Sequence, residues 1–348
     1  MSIRNGVKQL LKMCGHALVS TVHERLNRTD WQLDLVIDQN NRLAHTQTAL
    51  LESSIQFAET LQQWQQRQQE VAVEESGYGF QNPETGLMAF LYSFLPSRVA
   101  LDIGAHTGEV SERLLDAGYE VYAFEPNPPV YARLVERLGP HREFHAFDCA
   151  LAAGEAAMPL HVAEDRSAGG RYGDPTVFSS LAAHSMPEDL PFTGQVEVRV
   201  RTLAGLHGEK ALPEEIGLVK IDTEGYDLEV IRGMGERRYP VVCAEFWDER
   251  IPFGQAGLRY TLVQLVREMK ERGYPWHLVI YRIWGRELTA FFSNHPRAVP
   301  GSWGNVFFFR DHGLFREADR WCSAMLPRTY FRPVGQSDGS TQISGRAR

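Results

Sequence analysis

Residues 99–128 read VALDIGAHTGEVSERLLDAGYEVYAFEPNP. An apolar run over 99–103 is followed by a short glycine loop over 104–108. A helical pattern comes next, and then a second apolar run that ends at Glu125. The order strand, glycine loop, helix, strand is typical of one half of a nucleotide-binding parallel sheet. The stretch therefore predicts an α/β fold, and it raises the question of which nucleotide the loop holds.

The chain has 348 residues, of which 43% are hydrophobic, so it can bury a large core. Its net charge of −8 argues against a nucleic-acid partner. The four cysteines include no CxxC pair and are typical of reduced thiols in a cytoplasmic protein. No apolar run reaches the roughly 18 residues of a membrane span. Residues 1–23 carry an amphipathic pattern, which either makes peripheral contact with a membrane surface or packs on the protein's own domain.

Residues 24–75 contain no glycine or proline and follow a heptad repeat. One seam row is apolar and consists of Val36, Leu43, Leu50, Phe57, Trp64 and Val71. The other row is mostly polar and consists of Leu33, Asn40, Gln47, Ser54, Leu61 and Gln68. The pattern predicts a coiled coil that makes the protein a homo-oligomer. The alternative is one long helix that lies on the protein's own domain.

Residues 76–333 have the pattern of a globular α/β domain. Strand-like runs recur at 98–103, 120–125, 142–148, 216–222, 239–246, 276–283 and 304–310. Helical patterns fill gaps at 108–117, 128–138, 225–233 and 258–272. This alternation predicts a mostly parallel sheet that is covered on both faces. The segment 156–203 is rich in Gly, Ser and Pro and predicts a lid or binding loop, whereas residues 334–348 predict a disordered tail.

The glycine loop fits neither of two common phosphate-binding motifs. After Gly104, the dinucleotide motif GxGxxG would need glycines where His106 and Glu109 stand. The P-loop would need a lysine that the stretch lacks. Instead, Asp102 precedes the loop and Glu125 ends the next strand, where a carboxylate can accept hydrogen bonds from both ribose hydroxyls. The acidic surroundings favour a cationic ligand without phosphate, such as S-adenosylmethionine.

Four sequence blocks occur in order between residues 99 and 247, namely LDIGAHTGEVS, YAFEPNP, LVKIDTEGYDLEVIRGM and VVCAEFW. With these blocks the chain resembles the FkbM family of S-adenosylmethionine-dependent methyltransferases. The resemblance implies a class I methyltransferase sheet, Rossmann-like and seven-stranded, with the last strand antiparallel. The chain would then divide into a helical or coiled-coil segment (1–75), the methyltransferase domain (76–333) and the tail (334–348).

The resemblance also implies which residues bind the cofactor S-adenosyl-L-methionine. Carried over position by position, these are Asp102, Gly104, Ala105, His106 and Gly108 in the loop, Glu125 and Pro126 at the ribose, and Asp148 and Cys149 at the adenine edge. His106 stands where members of the family often have Asn, which leaves the detailed contacts of the loop open.

The stretch LVKIDTEG, residues 218–225, ends the fourth predicted strand of the sheet. Residues two apart point to one side of a strand, so Lys220 and Asp222 share a face, and Glu224 follows at the turn. Asp222 or Glu224 could act as general base, with His184 of the long loop as another candidate, and Lys220 could stabilise a developing alkoxide. The alternative for Lys220 is an ion pair with Asp222 that only shapes the strand end.

Asp222, Glu224 and Glu245 could together supply oxygen ligands to a divalent ion, but their spacing does not require one, and no metal is expected. The predicted function is methylation of a hydroxyl on a small-molecule, sugar or glycan acceptor. One alternative is a catalytically inactive methyltransferase fold that serves as a scaffold or oligomerisation protein. The other is a nicotinamide oxidoreductase, which the missing glycines disfavour.

Overall fold

A computed structural model describes residues 82–167, 169–170, 173–183, 186–251, 260–286, 288–331 and 342–343. The predicted helix or coiled coil over 24–75, the amphipathic pattern over 1–23 and His184 all lie outside these residues. Assembly through 24–75 therefore stays a prediction. None of the helices in the described ranges is long and apolar enough to cross a membrane.

The described strands are β1 (Val99–Ile103), β2 (Glu120–Phe124), β3 (Phe144–Phe147), β4 (Ala150–Leu151), β5 (Ala156–Ala163), β6 (Phe192–Arg201), β7 (Leu218–Ile221), β8 (Val241–Trp247), β9 (Trp276–Ile283), β10 (Thr289–Ser293), β11 (Ser302–Phe309), β12 (Thr329–Tyr330) and β13 (Gln342–Ile343). The helices are α1 (Pro83–Leu91), α2 (Glu109–Asp116), α3 (Pro128–Leu138), α4 (Leu203–Gly208), α5 (Asp227–Gly233), α6 (Leu262–Glu271) and α7 (His312–Met325). Strands and helices alternate along most of the chain, as the sequence predicts.

The main sheet has the strand order β10-β9-β11-β8-β7-β1-β2-β3. The five strands from β8 to β3 in this order are mutually parallel, whereas β11 runs antiparallel to both β8 and β9. The central strands β1, β7 and β8 are buried along their whole length, because helices and loops cover both faces of the sheet. The mixed α/β sheet with an antiparallel last strand is therefore confirmed.

The sheet has eight strands within the described residues, and the expected count of seven is wrong. The extra strand, β10, forms an antiparallel pair with β9 at the edge of the sheet. Its sequence TAFFS is a short apolar run without alternation, and such a run does not by itself distinguish a strand from other buried structure. All seven predicted strand runs correspond to strands of the main sheet.

The segment 156–203, predicted as a long loop, is largely a β-ribbon. Strands β5 and β6 pair antiparallel, and β4 joins β6 to complete a small three-stranded sheet. Pro159 obscures β5 in the sequence, but it is tolerated because β5 lies at the edge of this sheet. Residues 342–343, within the tail predicted to be disordered, pair with β12.

Candidate active site

A cleft of about 570 Å³, including its opening to solvent, lies at the carboxyl ends of β1, β2 and β7. Ligands of open parallel sheets bind at this edge. The floor of the cleft consists of Ile103, Gly104, His106, Phe124, Glu125, Pro126, Asp222, Thr223 and Glu224. Its walls and roof consist of Cys149, Ala150, Leu151, Leu160, Thr176, Val177, Ser179, Ser180 and Leu181. The roof residues from 176 to 181 belong to the connection between β5 and β6.

The glycine loop is held between β2 and the end of β7. The backbone N–H groups of Gly104 and Ala105 both donate to the carbonyl of Phe124 at 3.0 Å. Gly104 has a φ of +76°, and a Cβ at this position would lie 1.8 Å from the carbonyl oxygen of Asp222. Only glycine fits there, because both the left-handed backbone and the close approach of β7 exclude a side chain.

Glu125, at the end of β2, is only 7% exposed and its carboxylate is held by the backbone. Its Oε2 accepts the N–H of His106 at 2.9 Å, and its Oε1 accepts the N–H of Asn127 at 2.8 Å. Burial raises the pKa of Glu125 to about 7, although these two hydrogen bonds act in the opposite direction. Each carboxylate oxygen has a further lone pair, so the group can accept two more hydrogen bonds from a ligand in the cleft.

Behind the glycine loop, Asp102 and Lys220 form a buried ion pair. Asp102 is fully buried, and its oxygens meet the Ser111 hydroxyl at 2.6 Å and the Lys220 Nζ at 3.0 Å. The ammonium of Lys220, 4% exposed, also donates to the Gly104 carbonyl at 3.0 Å and lies 3.7 Å from Asp222. Burial opposes its charge, but Asp102 and Asp222 raise the pKa of Lys220, so it stays protonated.

Asp227, at the start of α5, connects the ends of β7 and β8. Its Oδ1 accepts the backbone N–H of Thr223 at 2.9 Å and also the Thr223 hydroxyl. Its Oδ2 accepts the backbone N–H of Glu245 at 2.7 Å. Burial, followed by the charge of Asp222, raises the pKa of Asp227 to about 6. Asp227 thus ties the turn after β7, which carries Asp222 and Glu224, to strand β8, which carries Glu245.

Asp222, Glu224 and Glu245 converge at the ends of β7 and β8. One carboxylate oxygen from each lies within 4.8 Å of the other two. Burial is the main cause that raises the pKa of both glutamates, and neighbouring carboxylates add to it. Glu224 has a left-handed backbone with a φ of +52°, and its carbonyl accepts the Ser180 hydroxyl at 2.6 Å. A left-handed backbone is strained for a glutamate and persists only where surrounding contacts hold it. Strained residues of this kind are common at functional sites.

A polar contact joins the roof of the cleft to the glycine loop and α3. His106 Nε2 lies 2.8 Å from the Thr176 hydroxyl, and Arg133 Nη1 donates to Asp174 Oδ2 at 2.7 Å. Burial lowers the pKa of His106, so the ring is neutral at pH 7. Partial burial opposes the charge of Asp174, but hydrogen bonds from Thr176 and Arg133 lower its pKa to about 2. The roof is therefore connected to the rest of the cleft by a neutral histidine and by an ion pair whose carboxylate is ionised at neutral pH.

The cleft brings together most, but not all, of the sequence-predicted residues. Those that line it are Gly104, His106, Glu125, Pro126, Cys149, Asp222 and Glu224. Asp102, Ala105, Gly108 and Lys220 lie behind the lining, where they hold the loop. Asp148 instead forms an exposed ion pair with Arg199.

The roof residues Thr176, Ser179 and Ser180 are absent from the sequence predictions. The only sequence signal for them is the Gly-, Ser- and Pro-rich composition of the segment around them, which predicts a binding loop without naming its residues. Asp227 carries no separate signal either, because it reads as an ordinary acidic residue at the start of a helix.

The fold is that of a Rossmann-like α/β protein, with a cleft at the carboxyl ends of its parallel strands, where ligands of such sheets bind. A family model described as the methyltransferase FkbM domain matches residues 102–275, which is half of the chain. The chain therefore belongs to the FkbM methyltransferase family.

One curated relative is the 2-O-methyltransferase NoeI of Sinorhizobium fredii (strain NBRC 101917 / NGR234). The two proteins are 27% identical over 178 residues, which are 48% of this chain and 70% of NoeI. Two solved structures match at 14% identity and a TM-score of 0.35. Precorrin-6y C5,15-methyltransferase from Geobacter metallireducens GS-15 aligns over 65% of this chain and 87% of its own. Methyltransferase FkbM from Methylobacillus flagellatus KT aligns over 61% of this chain and 43% of its own.

Proposed function

We propose that the protein is an S-adenosylmethionine-dependent O-methyltransferase. The single observation that carries the proposal is the carboxylate of Glu125, which is oriented by two backbone N–H groups in the floor of the cleft of a methyltransferase-family protein. Its free lone pairs suit the two hydroxyls of a ribose. Among the described residues that line the cleft there is no Lys or Arg, so the site suits a ligand without phosphate.

The rest of the cleft fits the other parts of this cofactor. Cys149, Leu151, Leu160 and Leu181 add apolar side chains to the lining of the cleft, against which an adenine ring can pack. Asp222 and Glu224 also line the cleft, and an ionised carboxylate at this position favours the cationic methionine end of the cofactor. When bound, S-adenosylmethionine would supply a methyl group on a positively charged sulfur. In one in-line step an acceptor oxygen would bond to this methyl group, and the sulfur would leave as the neutral thioether of S-adenosylhomocysteine.

The chain's own residues have three tasks in this reaction. Glu125 and these apolar side chains hold the cofactor, and the roof excludes water from the reacting atoms. Asp222 or Glu224 accepts the proton that the acceptor hydroxyl loses, and the raised pKa of Glu224 makes it a stronger base than an exposed carboxylate. Lys220 acts as a positioning residue, because three oxygens already surround its ammonium. His184 stays a candidate base from the sequence.

The acceptor class that we propose is a hydroxyl of a sugar, glycan or related natural product. The support is the relative NoeI, a 2-O-methyltransferase, together with the carboxylates of Asp222 and Glu224 in the lining of the cleft. Carboxylates are the usual partners of sugar hydroxyls, because they accept hydrogen bonds and cannot donate them when ionised. A cytoplasmic location and an absence of nucleic-acid partners remain expectations from the composition.

The experiment that tests the cofactor is thermal unfolding with S-adenosylmethionine, S-adenosylhomocysteine and NAD. A ligand at a hundred times its dissociation constant adds about 2.7 kcal/mol if it binds only the folded state. We expect stabilisation by the first two ligands and none by NAD. Stabilisation by NAD alone would favour an oxidoreductase. Binding without methyl transfer to a panel of nucleotide sugars and glycans would favour the inactive scaffold.

A further inference from the structure

Three acidic side chains that are far apart in the sequence meet at one edge of the cleft. Strands β7 and β8 pair in parallel, with Ile221 opposite Ala244. The next residue on each strand, Asp222 and Glu245, therefore falls at the same level, and Glu224 reaches back from the turn. Their carboxylate oxygens lie within 4.8 Å of one another, a spacing that lets all three contact one ion.

An independent observation comes from the hydrogen bonding of Glu245. This residue is only 8% exposed, and its Oε2 is buried without a hydrogen-bond donor among the residues that the structure describes. The rest of its carboxylate receives a hydrogen bond from Trp247. A buried carboxylate oxygen without a partner is costly, so such groups are normally paired or bind a metal. One carboxylate oxygen of Glu245 lies within 4.8 Å of Asp222 and Glu224, so a cation bound between the three would lie against this carboxylate.

The nearby cations are engaged elsewhere. Lys220, the cation nearest to Asp222, lies closer to Asp102 and the Gly104 carbonyl, at 3.0 Å each, than to Asp222 at 3.7 Å. Arg282, on the neighbouring strand β9, makes two hydrogen bonds of 2.6 and 2.9 Å to Glu84. Within the described part of the chain, neither Glu224 nor Glu245 forms an ion pair. The cluster therefore shares these two cations with carboxylates outside it, since Lys220 also pairs with Asp102 and Arg282 also pairs with Glu84.

We propose that Asp222, Glu224 and Glu245 bind a divalent cation with a preference for oxygen ligands, Mg²⁺ or Mn²⁺, at the edge of the cleft. Carboxylate oxygens without any nitrogen or sulfur ligand select hard cations of this kind. Three protein ligands leave coordination positions open for water or for an acceptor oxygen. The proposal reverses the expectation that the protein binds no metal. That expectation came from the spacing along the sequence, where Asp222 and Glu224 are near neighbours and Glu245 is distant from both.

The site adds a role to the proposed function, on which this part of the inference rests. Asp222 and Glu224 line the cleft, so the open positions of the cation face the space where the acceptor enters. An acceptor hydroxyl that replaced one water on the cation would be oriented, and its pKa would fall. The cation would thus take over a task that otherwise falls to the carboxylates alone.

The test is titration of the full-length, chelator-treated protein with Mn²⁺, with free Mn²⁺ measured by electron paramagnetic resonance. We expect one site with a dissociation constant below about 1 mM, from which Mg²⁺ displaces Mn²⁺. Glu245→Gln should weaken binding at least tenfold, because loss of even an outer partner of a metal site commonly costs that much. The matched control is Glu214→Gln, which changes an exposed glutamate paired with Arg237 and should bind Mn²⁺ normally.

Glu224→Gln is the second variant, because Glu224 is half-buried and its replacement disturbs the core less than a change at Glu245. It should also weaken Mn²⁺ binding at least tenfold while thermal unfolding stays near that of the parent protein. The proposal is overturned if no Mn²⁺ binds at 1 mM, or if both variants bind it as tightly as the parent protein. No methyl donor is present in the titration, so its outcome is independent of methyl transfer. Turnover that persists in chelator, with no Mn²⁺ bound, would reject the metal site and leave the proposed methylation intact.

Discussion

Two groups of buried carboxylates face the same cleft, and their surroundings differ. At the end of β2, Glu125 has a backbone N–H on each oxygen, so its orientation is set before any ligand arrives. At the ends of β7 and β8, Glu245 has a buried oxygen with no donor, beside Asp222 and Glu224. The first arrangement is complete and suits neutral hydroxyl donors. In the second arrangement all carboxylate oxygens have a partner only when a cation or a proton is bound. Carboxylates in such surroundings are typical of sites that bind ions or transfer protons.

The largest expected effect comes from Asp222→Asn, in the second group. Turnover should fall by a factor of about 10² to 10⁴, the usual contribution of a group that assists proton transfer. The affinity for S-adenosylhomocysteine, measured by calorimetry, should change much less, because the variant leaves the proposed ribose contacts at Glu125 in place. Unchanged turnover would move the base to Glu224 or His184 and remove Asp222 from the chemistry.

The second prediction concerns Gly104. This residue lies in the loop that contacts Glu125, and it also approaches the backbone carbonyl of Asp222. Gly104→Ala should destabilise the protein by about 3 kcal/mol or more, because the left-handed φ of +76° is strained for alanine and the new Cβ would meet the Asp222 carbonyl at 1.8 Å. Urea unfolding measures the effect. The matched control is Gly154→Ala, where a Cβ meets nothing within 4 Å, and the free energy of unfolding should change by about 0.5 kcal/mol or less. Equal stabilities of the two variants would contradict the close approach of the loop to β7.

The third prediction removes the first group. Glu125→Ala should weaken S-adenosylhomocysteine binding by about 1–3 kcal/mol, the scale for leaving buried hydrogen-bonding groups without a partner. Mn²⁺ binding at the second group should be unaffected, because Glu125 belongs to a different strand end. Calorimetry on both ligands separates the two sites. An unchanged affinity for S-adenosylhomocysteine would rule out the ribose assignment.

The smallest expected effect is the pH dependence of cofactor binding. Burial raises the pKa of Glu125 from 4.5 to about 7 in the folded protein, so this group's contribution to stability is present below pH 4.5 and is lost as pH rises through about 7. Ribose hydroxyls prefer the ionised carboxylate as acceptor. Affinity for S-adenosylhomocysteine should therefore fall by up to about tenfold per pH unit below 7.

Calorimetry of that binding in buffers of different ionisation enthalpy checks the assignment. It should show proton release upon binding near pH 6.5, and Glu125→Gln should abolish this release. A pH dependence that persists unchanged in Glu125→Gln would place the titrating group elsewhere.

The sequence predicts seven of the eight strands of the main sheet and four of the seven described α-helices, because each of these has a local signal. The predicted run 276–283 coincides with β9, and the helix 128–138 coincides with α3, which begins at Pro128 where proline is favoured. β10 and the ribbon escape prediction for a shared reason. Both depend on pairing with a neighbouring strand, and neither the apolar run TAFFS nor a segment that contains Pro159 reveals such a partner.

The parts of the site also differ in whether they carry a local sequence signal or depend on contacts between distant segments. The sequence alone determined the glycine loop, Glu125 at the next strand end, and Asp222 with Glu224 after the fourth strand of the parallel core, because these lie within short motifs. Only the tertiary structure paired Lys220 more closely with Asp102 than with Asp222 and placed Ser180 and Thr176 in the roof. The physical reason is that periodicity specifies which face of an element is buried. Periodicity does not specify which strands or helices pack against one another. A site that is assembled from several strand ends depends on that packing.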